Sequence, residues 1–210
     1  MPSRVKSRSY DSSGRRAAAE ARRDRVLGAA SALMLRDGYA ATTVTAIAAA
    51  AGVSTETIYK SFGGKPGVVW ALFRRALEGA GPVPAETRSD ALRNTDPATL
   101  VAGWAQLSTE VAPRVAPVLA LVRAAARSHP RMRLEYEEML ATNLRRMQDN
   151  ARALAALGGV REGITVEEAG DVLFTVSSLE MYELLVMRQG WSLERYSAFV
   201  RDTITHGLLP

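Results

Sequence analysis

Residues Thr42 to Lys65 read TTVTAIAAAAGVSTETIYKSFGGK, and this stretch decides the fold. Val44, Ile47 and Ala51 recur at helical spacing, which predicts a short helix with one buried face. Gly52 follows, and a residue without a Cβ suits the sharp turn that must join this helix to the next. The stretch therefore predicts two short helices connected by a glycine turn.

Both predicted helices carry signals for where they begin and end. Thr43 is a candidate N-cap for the first helix and Ser54 for the second. Ile58 and Phe62 form the predicted buried face of the second helix, and the glycines at 63–64 end it. A helix, a tight turn and a second helix form the unit that lays one helix across the sugar–phosphate backbone and the other in the major groove.

An ordinary helical corner inside an all-α core is the alternative interpretation of this stretch. The outward face of the second helix favours DNA, because it carries mainly short hydrogen-bonding groups with one phenol and one ammonium: Thr55, Glu56, Thr57, Tyr59, Lys60 and Ser61. Such groups suit contacts with base edges and phosphates. Lys65 follows the glycines at the start of another helix, where an ammonium and free N–H groups together favour a phosphate.

The register of matched residues resembles the N-terminal domain of the TetR family of transcriptional regulators. The residues that carry the resemblance are Gly38-Tyr39, Thr43-Val44, Ile47-Ala48, Ala51-Gly52-Val53-Ser54, Ile58-Tyr59-Lys60, Phe62 and Lys65. The resemblance covers roughly residues 16–77, and beyond them the chain is similar only in length and helix content.

The resemblance implies roles for individual residues. It implies contacts with the DNA backbone by Thr43, Thr55, Tyr59 and Lys65, and contacts in the groove by Thr45, Glu56, Thr57, Lys60 and Ser61, with Ser54 completing the predicted DNA-binding set. Ser61 departs from the family, which often has Tyr or His at that position. The resemblance also implies a homodimer formed through the last two helices, and a C-terminal domain that binds a small-molecule effector.

Charge is distributed unevenly along the 210 residues, whose net charge is +5. Residues 1–80 contain 13 Lys and Arg against 6 Asp and Glu, a net of +7, whereas the remaining residues carry 14 against 16. A basic head on a near-neutral body fits a protein that binds a polyanion. There is no cysteine, and no apolar run approaches the roughly 20 residues that cross a bilayer, so we expect a cytoplasmic protein.

The chain predicts an all-α fold of about nine helices in two domains. Residues 1–15 are expected to form a disordered basic arm, 16–80 a three-helix DNA-binding domain with its helix-turn-helix at 43–62, and 81–210 a ligand-binding and dimerisation domain. In the arm, Arg4, Lys6, Arg8, Arg15 and Arg16 either track phosphates or remain solvated.

Later helices are predicted from their apolar spacing and their breakers. The first helix spans 16–37 and Gly38 closes it. Pro113 and Pro117 are expected to interrupt a helix that Asp96 and Pro97 open. Beyond them, helices are expected over 131–157, 166–189 and 192–208, while 79–96 is expected to be a linker between the domains.

A ligand pocket is predicted where apolar walls alternate with a few polar groups in the C-terminal helices. The candidates are Trp104, Leu107, Val122, Arg123, Met139, Asn143, Met147, Phe174, Ser177, Ser178 and Tyr182. Core packing is the alternative explanation for each of the apolar members. Arg123 is the hardest to explain as core, and we expect it to pair with an acidic group of the ligand.

No pattern of catalytic, metal-ligating or cofactor-binding residues is apparent. His129 and His206 lack a second histidine or a cysteine at metal-ligand spacing, and no serine lies in a nucleophile elbow. We therefore expect no enzyme, no metal and no cofactor. The remaining alternative to a DNA-binding regulator is an all-helical carrier of an apolar metabolite, which the basic head and the polar face of 55–61 disfavour.

Overall fold

The computed structural model describes residues 12–78 and 83–210, and within these ranges every regular element is a helix. This confirms the predicted all-α class. The chain divides into two compact units, the first ending at Val68 and the second beginning at Val69. The boundary predicted after residue 80 falls in 79–82, outside the described residues, as do Arg4, Lys6 and Arg8 of the predicted arm.

The first unit is a small helical head. Its helices are α1 (Ser12–Ala41), α2 (Val44–Ala51), α3 (Thr55–Phe62) and the start of α4 (Lys65–Glu78). Gly38 interrupts α1 with φ 84° and ψ 163°, as the sequence predicts. The core is formed by one apolar stripe from each helix: Val26, Leu27, Ala30 and Met34 of α1, Ile47, Ala48 and Ala51 of α2, and Ile58 of α3. Ile47 and Ile58 are fully buried, which fixes α2 and α3 against α1.

Helix α1 begins at Ser12, whereas the sequence predicts a start at Arg16 with a disordered arm before it. The physical reason is composition, because alanine and arginine are strong helix formers and dominate the segment 15–23. Helix propensity therefore extends α1 on the N-terminal side of its first buried residue, Val26, through a segment in which every residue from Gly14 to Arg25 is exposed.

The second unit contains the remainder of the helices. These are α5 (Ala85–Leu92), α6 (Pro97–Ser128), α7 (Pro130–Ala156), α8 (Val166–Val176), α9 (Leu179–Tyr182), which continues as a π-helical turn over Glu183–Arg188, and α10 (Leu193–Leu208). Helix α6 lies at the centre and packs against α5, α7, α9 and α10. The core joins Leu100 and Trp104 of α6 to Leu173 of α8 and to Tyr196 and Ile204 of α10.

Two predictions are wrong in this unit, the linker expected over 79–96 and the helix break expected at Pro113 and Pro117. The expected linker contains α5, where Pro84 precedes a run of residues that tolerate helix, AETRSDAL. Pro113 and Pro117 do not interrupt α6, which is continuous over 32 residues. Each internal proline removes one backbone donor and costs about 3 kcal/mol. Burial on both sides, at Ala112 and Leu119 among others, offsets that cost.

The prediction of one continuous helix over 166–189 is also wrong, because the helix is interrupted at Ser177 and Ser178. The Ser177 hydroxyl donates to the Leu173 carbonyl. The Ser178 hydroxyl accepts from the Met181 N–H and starts α9 with an extended backbone, φ −66° and ψ 145°. Serine side chains that bond the local backbone compete with helix continuation, and two in succession end α8.

Candidate nucleic-acid interface

The turn between α2 and α3 has the geometry that its sequence predicts. The Thr43 hydroxyl accepts from the Ala46 N–H at 3.0 Å and caps α2. Gly52 adopts the left-handed conformation, φ 64° and ψ 42°, which a side chain would oppose. The Ser54 hydroxyl then accepts from the Thr57 N–H at 3.2 Å and caps α3. Both predicted caps are confirmed, and they hold the two helices at a fixed junction.

Helix α3 turns one face inward and leaves the other to solvent. Ile58 is fully buried, while the predicted contact residues of α3 lie on its outer side. Of the ten predicted DNA-binding residues, the structure exposes Thr43, Thr45, Ser54, Thr55, Glu56, Tyr59, Lys60 and Ser61, and partly buries Thr57 and Lys65. The head therefore presents a helix whose accessible groups are hydroxyls, one ammonium and one carboxylate.

Tyr59 is the largest side chain on this face, with 59% of its surface exposed. Its ring lies over Gly64, where an added Cβ would come 3.2 Å from the Tyr59 Cε1 atom. Gly64 also has φ +106°, a conformation that other residues rarely adopt. A glycine at this position therefore keeps the Tyr59 ring seated against the backbone with its phenol open to solvent.

Lys65 has a structural role that the sequence analysis missed. Its ammonium donates to the Tyr39 carbonyl at 2.8 Å and to the Thr42 carbonyl at 2.9 Å. The Nζ atom also lies 4.1 Å from the centroid of the Tyr39 ring. Burial lowers the pKa of Lys65. Lys65 thus ties the start of α4 to the end of α1 and to Thr42, which follows it, and its predicted phosphate contact would use the remaining N–H.

We expect Lys65→Met to lower the free energy of unfolding by about 1 to 3 kcal/mol, because it leaves two carbonyl oxygens without their charged donor. Urea denaturation measures this, and Lys60→Met is the matched control because Lys60 is exposed and forms no such contact within the described residues. The control should change stability by less than about 0.5 kcal/mol. Equal midpoints for the two variants would show that Lys65 does not tie these segments together.

The predicted ligand residues of the second unit divide into three groups. Trp104, Val122 and Tyr182 are buried, while Leu107, Met139, Asn143, Met147 and Phe174 are half-buried. Ser177 and Ser178 bond the local backbone at the break between α8 and α9. Met147 packs against the same core as Trp104 and Tyr182. Trp104, Met147 and Tyr182 therefore belong to one apolar core.

Arg123 is already paired with acidic residues of the chain itself. Its guanidinium donates to Glu180 at 3.1 Å and to Glu183, which joins α6 to α9 and the π-helical turn. An acidic ligand group would have to compete with both carboxylates. The pair borders an open cavity of about 470 Å³ lined by Ala120, Arg123, Ala124, Arg127, Glu180, Glu183, Leu184 and Arg188.

The Arg123–Glu183 pair predicts how stability depends on pH. The hydrogen bond from Arg123 lowers the pKa of Glu183 below its ordinary value of 4.5. A lowered carboxyl pKa contributes stability that is present above pH 4.5 and is lost as pH falls through the folded-state pKa. The free energy of unfolding should therefore be larger for wild type than for Glu183→Gln at about pH 7. The difference between the two proteins, the stability gap, should shrink toward about pH 3.

Chemical denaturation of both proteins across that pH range measures the gap. Glu162→Gln is the control, because Glu162 is exposed and forms no ion pair within 83–210. A gap that stayed constant with pH would mean that Glu183 acts through packing and not through its charge.

Of the buried donors in the second unit that have no acceptor among the described residues, two lie in side chains of its apolar core. They are the Trp104 Nε1–H, in a residue that is 7% exposed, and the Tyr196 hydroxyl, in one that is fully buried. Burial raises the pKa of Tyr196 to about 12. Tyr196 also packs edge-on against Tyr182, with ring centroids 5.4 Å apart. The sequence analysis missed Tyr196, since its spacing on α10 is that of an ordinary core residue.

Within the described ranges, none of the helices is long and apolar enough to span a bilayer. In the same residues, no cluster of three or more His, Asp or Glu side chains is placed to hold a metal ion.

Known proteins resemble the chain in two ways, by sequence in the head and by fold over most of its length. Residues 26–72 match the family described as "Bacterial regulatory proteins, tetR family". Over 66 residues the chain is 39% identical to an uncharacterized HTH-type transcriptional regulator, YvkB, of Bacillus subtilis. That match covers 31% of this chain and 35% of YvkB, so it spans about a third of that relative.

Solved structures extend the likeness in fold. A putative transcriptional regulator from Saccharomonospora viridis, crystallised in complex with choline, matches with a TM-score of 0.69 at 21% identity, over 90% of this chain and 97% of that one. SmeT, the repressor of the Stenotrophomonas maltophilia multidrug efflux pump SmeDEF, matches with a TM-score of 0.69 at 22% identity over 90% of each chain. Residues 26–72 therefore match the tetR family of bacterial regulatory proteins in sequence, and most of the chain shares its fold with these solved structures.

Proposed function

We propose that this protein is a cytoplasmic, ligand-responsive transcriptional repressor that binds a near-palindromic operator as a homodimer. The observation that carries the proposal is the exposed polar face of α3, held by the capped junction with α2. Major-groove recognition requires a helix whose outer side chains are free to donate and accept hydrogen bonds. Thr55, Tyr59, Lys60 and Ser61 meet that requirement, since all four are exposed.

A homodimer through the last two helices is supported by apolar side chains left open there. Leu184 and Met187 of the π-helical turn are 48% and 52% exposed, and Leu193 at the start of α10 is 39% exposed. Large apolar side chains that cluster on a surface favour a protein partner. Two-fold symmetry would place two α3 helices about one turn of DNA apart, on the order of 34 Å, and would explain a palindromic operator.

Release by an effector is supported by the second unit. The unpartnered donors of Trp104 and Tyr196 lie in an otherwise apolar core. Each such donor costs about 1 to 3 kcal/mol when buried without an acceptor. A largely apolar molecule with hydrogen-bond acceptors would recover that cost. An effector that binds more tightly to dimers with one spacing of the two heads increases the fraction of dimers with that spacing. If that spacing does not match the operator, the affinity for the operator falls.

The competing function, an apolar carrier without a DNA role, differs from a regulator in its response to salt. We expect binding to labelled duplex DNA to weaken by a factor of about 1,000 or more between about 50 and 200 mM salt, as for proteins that contact several phosphates. Fluorescence anisotropy measures this. Binding that is absent at low salt, or insensitive to salt, would favour the carrier.

A further inference from the structure

The first turns of α1 extend beyond the core of the head. Every residue from Gly14 to Arg25 is exposed, and the first buried residue is Val26. This segment covers about three helical turns. It contains five arginines against Glu20 and Asp24, so its net charge is +3. Core packing does not explain a helical segment of this length, since none of its residues is buried.

Helical spacing aligns most of these arginines in one stripe. Arg15 and Arg22 are seven residues apart, which is two turns, and the same spacing relates Arg16 to Arg23. Arg22 lies four residues before the buried Val26, so this side of the segment continues the face of α1 that packs on the head. We call the four residues Arg15, Arg16, Arg22 and Arg23 the arginine stripe.

Contacts within the head show where the stripe begins. The Arg23 guanidinium lies 4.7 Å from the centroid of the Phe62 ring at the end of α3. Arg25 donates from Nε to the Ala51 carbonyl at the end of α2, at 3.4 Å. The stripe therefore starts beside the helix-turn-helix and runs away from it. From Arg23 to Arg16 it extends about 10 Å, at a rise of about 1.5 Å per residue.

Two members of the stripe have no partner of their own. Across the described ranges, neither Arg16 nor Arg22 forms a hydrogen bond or an ion pair through its side chain. The side of Arg22 that faces Arg15 carries only Ala18 and Ala19 at the intervening helical positions. Like charges on one face repel, and an anion alongside relieves that repulsion.

We infer that the arginine stripe is a second DNA-contact surface, which binds phosphates flanking the bases that α3 reads. The inference rests on the proposed DNA binding and adds a position and a sequence-independent role to it. The phosphates of one strand are spaced about 3.4 Å apart along the duplex axis, so a stripe of about 10 Å lying along that axis spans about three of them. Such contacts position the protein and raise its affinity without selecting bases.

The test compares the double variant Arg16→Gln/Arg22→Gln with wild type on duplexes of one sequence and two lengths. One duplex contains only the operator that the protein selects from a random duplex pool, and the other carries that operator with flanks of about ten base pairs on each side. Glutamine keeps helix propensity while removing the charge. The matched control is Arg127→Gln/Arg133→Gln, since both arginines are exposed on helices of the second unit and form no ion pair there.

On the long duplex we expect the double variant to bind about 10- to 100-fold more weakly. Its slope of log K against log salt should become shallower by about 0.9 for each phosphate that the protein no longer neutralises. On the short duplex it should equal wild type, and the control should change neither affinity nor slope. Circular dichroism of the purified variants verifies that α1 remains helical.

Equal affinity and slope for wild type and the double variant on the long duplex would overturn the inference. So would loss of binding to vesicles of anionic phospholipid with no change on DNA, which would assign the stripe to a membrane surface. Failure of the proposed function would give a different result, because the wild-type protein itself would then show no salt-dependent binding to either duplex.

Discussion

Gly67→Ala is expected to unfold the head or to cost about 3 kcal/mol or more. Gly67 lies in the first turn of α4, where a Cβ would overlap the Phe62 carbonyl oxygen and come 2.8 Å from the Phe62 carbonyl carbon. Both obstructing atoms are backbone, so no side-chain rotation relieves the clash. Chemical denaturation followed by circular dichroism measures the loss, and DNA binding should fall with the folded fraction.

Gly28→Ala is the matched control, because Gly28 lies inside α1 of the same head and has nothing within 4 Å of an added Cβ. Alanine there should stabilise by about 0.5 to 1 kcal/mol through helix propensity and a less flexible unfolded chain. If both variants moved stability in the same direction by similar amounts, the close approach of α4 to the end of α3 would not be a constraint on this fold.

Tyr59→Ala is expected to weaken operator binding by about 10- to 100-fold, equivalent to about 1.4 to 2.8 kcal/mol. The Tyr59 side chain is 59% exposed on the outer face of α3, and a hydrogen bond from its phenol to a phosphate is charge-assisted. Anisotropy titration at fixed salt measures the change. Tyr59→Phe separates the hydroxyl from the ring, and should retain only the part of the affinity that the ring supplies.

Stability controls are needed for this comparison. Because Tyr59 is 59% exposed, its replacement should change unfolding by less than about 0.5 kcal/mol. Leu35→Ala provides a second reference, since Leu35 is 51% exposed and belongs to α1 of the same head, not to α3. Weakening of DNA binding by Leu35→Ala to the same degree would mean that the effect at Tyr59 is not specific to the α3 face.

The elements that sequence predicted best are those fixed by local interactions. The caps at Thr43 and Ser54, the turn at Gly52 and the break at Gly38 each depend on residues within four positions of one another. Such features can be predicted from the sequence because each depends on one side chain and a nearby backbone group. The outward face of α3 follows from the same local register, with Ile58 buried and its neighbours exposed.

What the sequence did not predict depends on partners far along the chain. The two carbonyl acceptors of Lys65 lie 23 and 26 residues away, and the acidic partners of Arg123 lie 57 and 60 residues away. Continuity of α6 through Pro113 and Pro117 likewise depends on burial against other helices, which overrides the local penalty. Spacing within one helix carries no information about these contacts.

The proposed function requires α3 to read DNA sequence as part of a symmetric dimer. Selection from a random duplex pool by the purified full chain tests it most directly, with Tyr59→Ala run in parallel. We expect enrichment of an inverted repeat whose half-sites lie about one helical turn apart, and reduced retention of that sequence by the variant. Salt-sensitive binding without any enriched sequence, persisting after the protein is unfolded, dialysed and refolded to remove bound ligand, would contradict it.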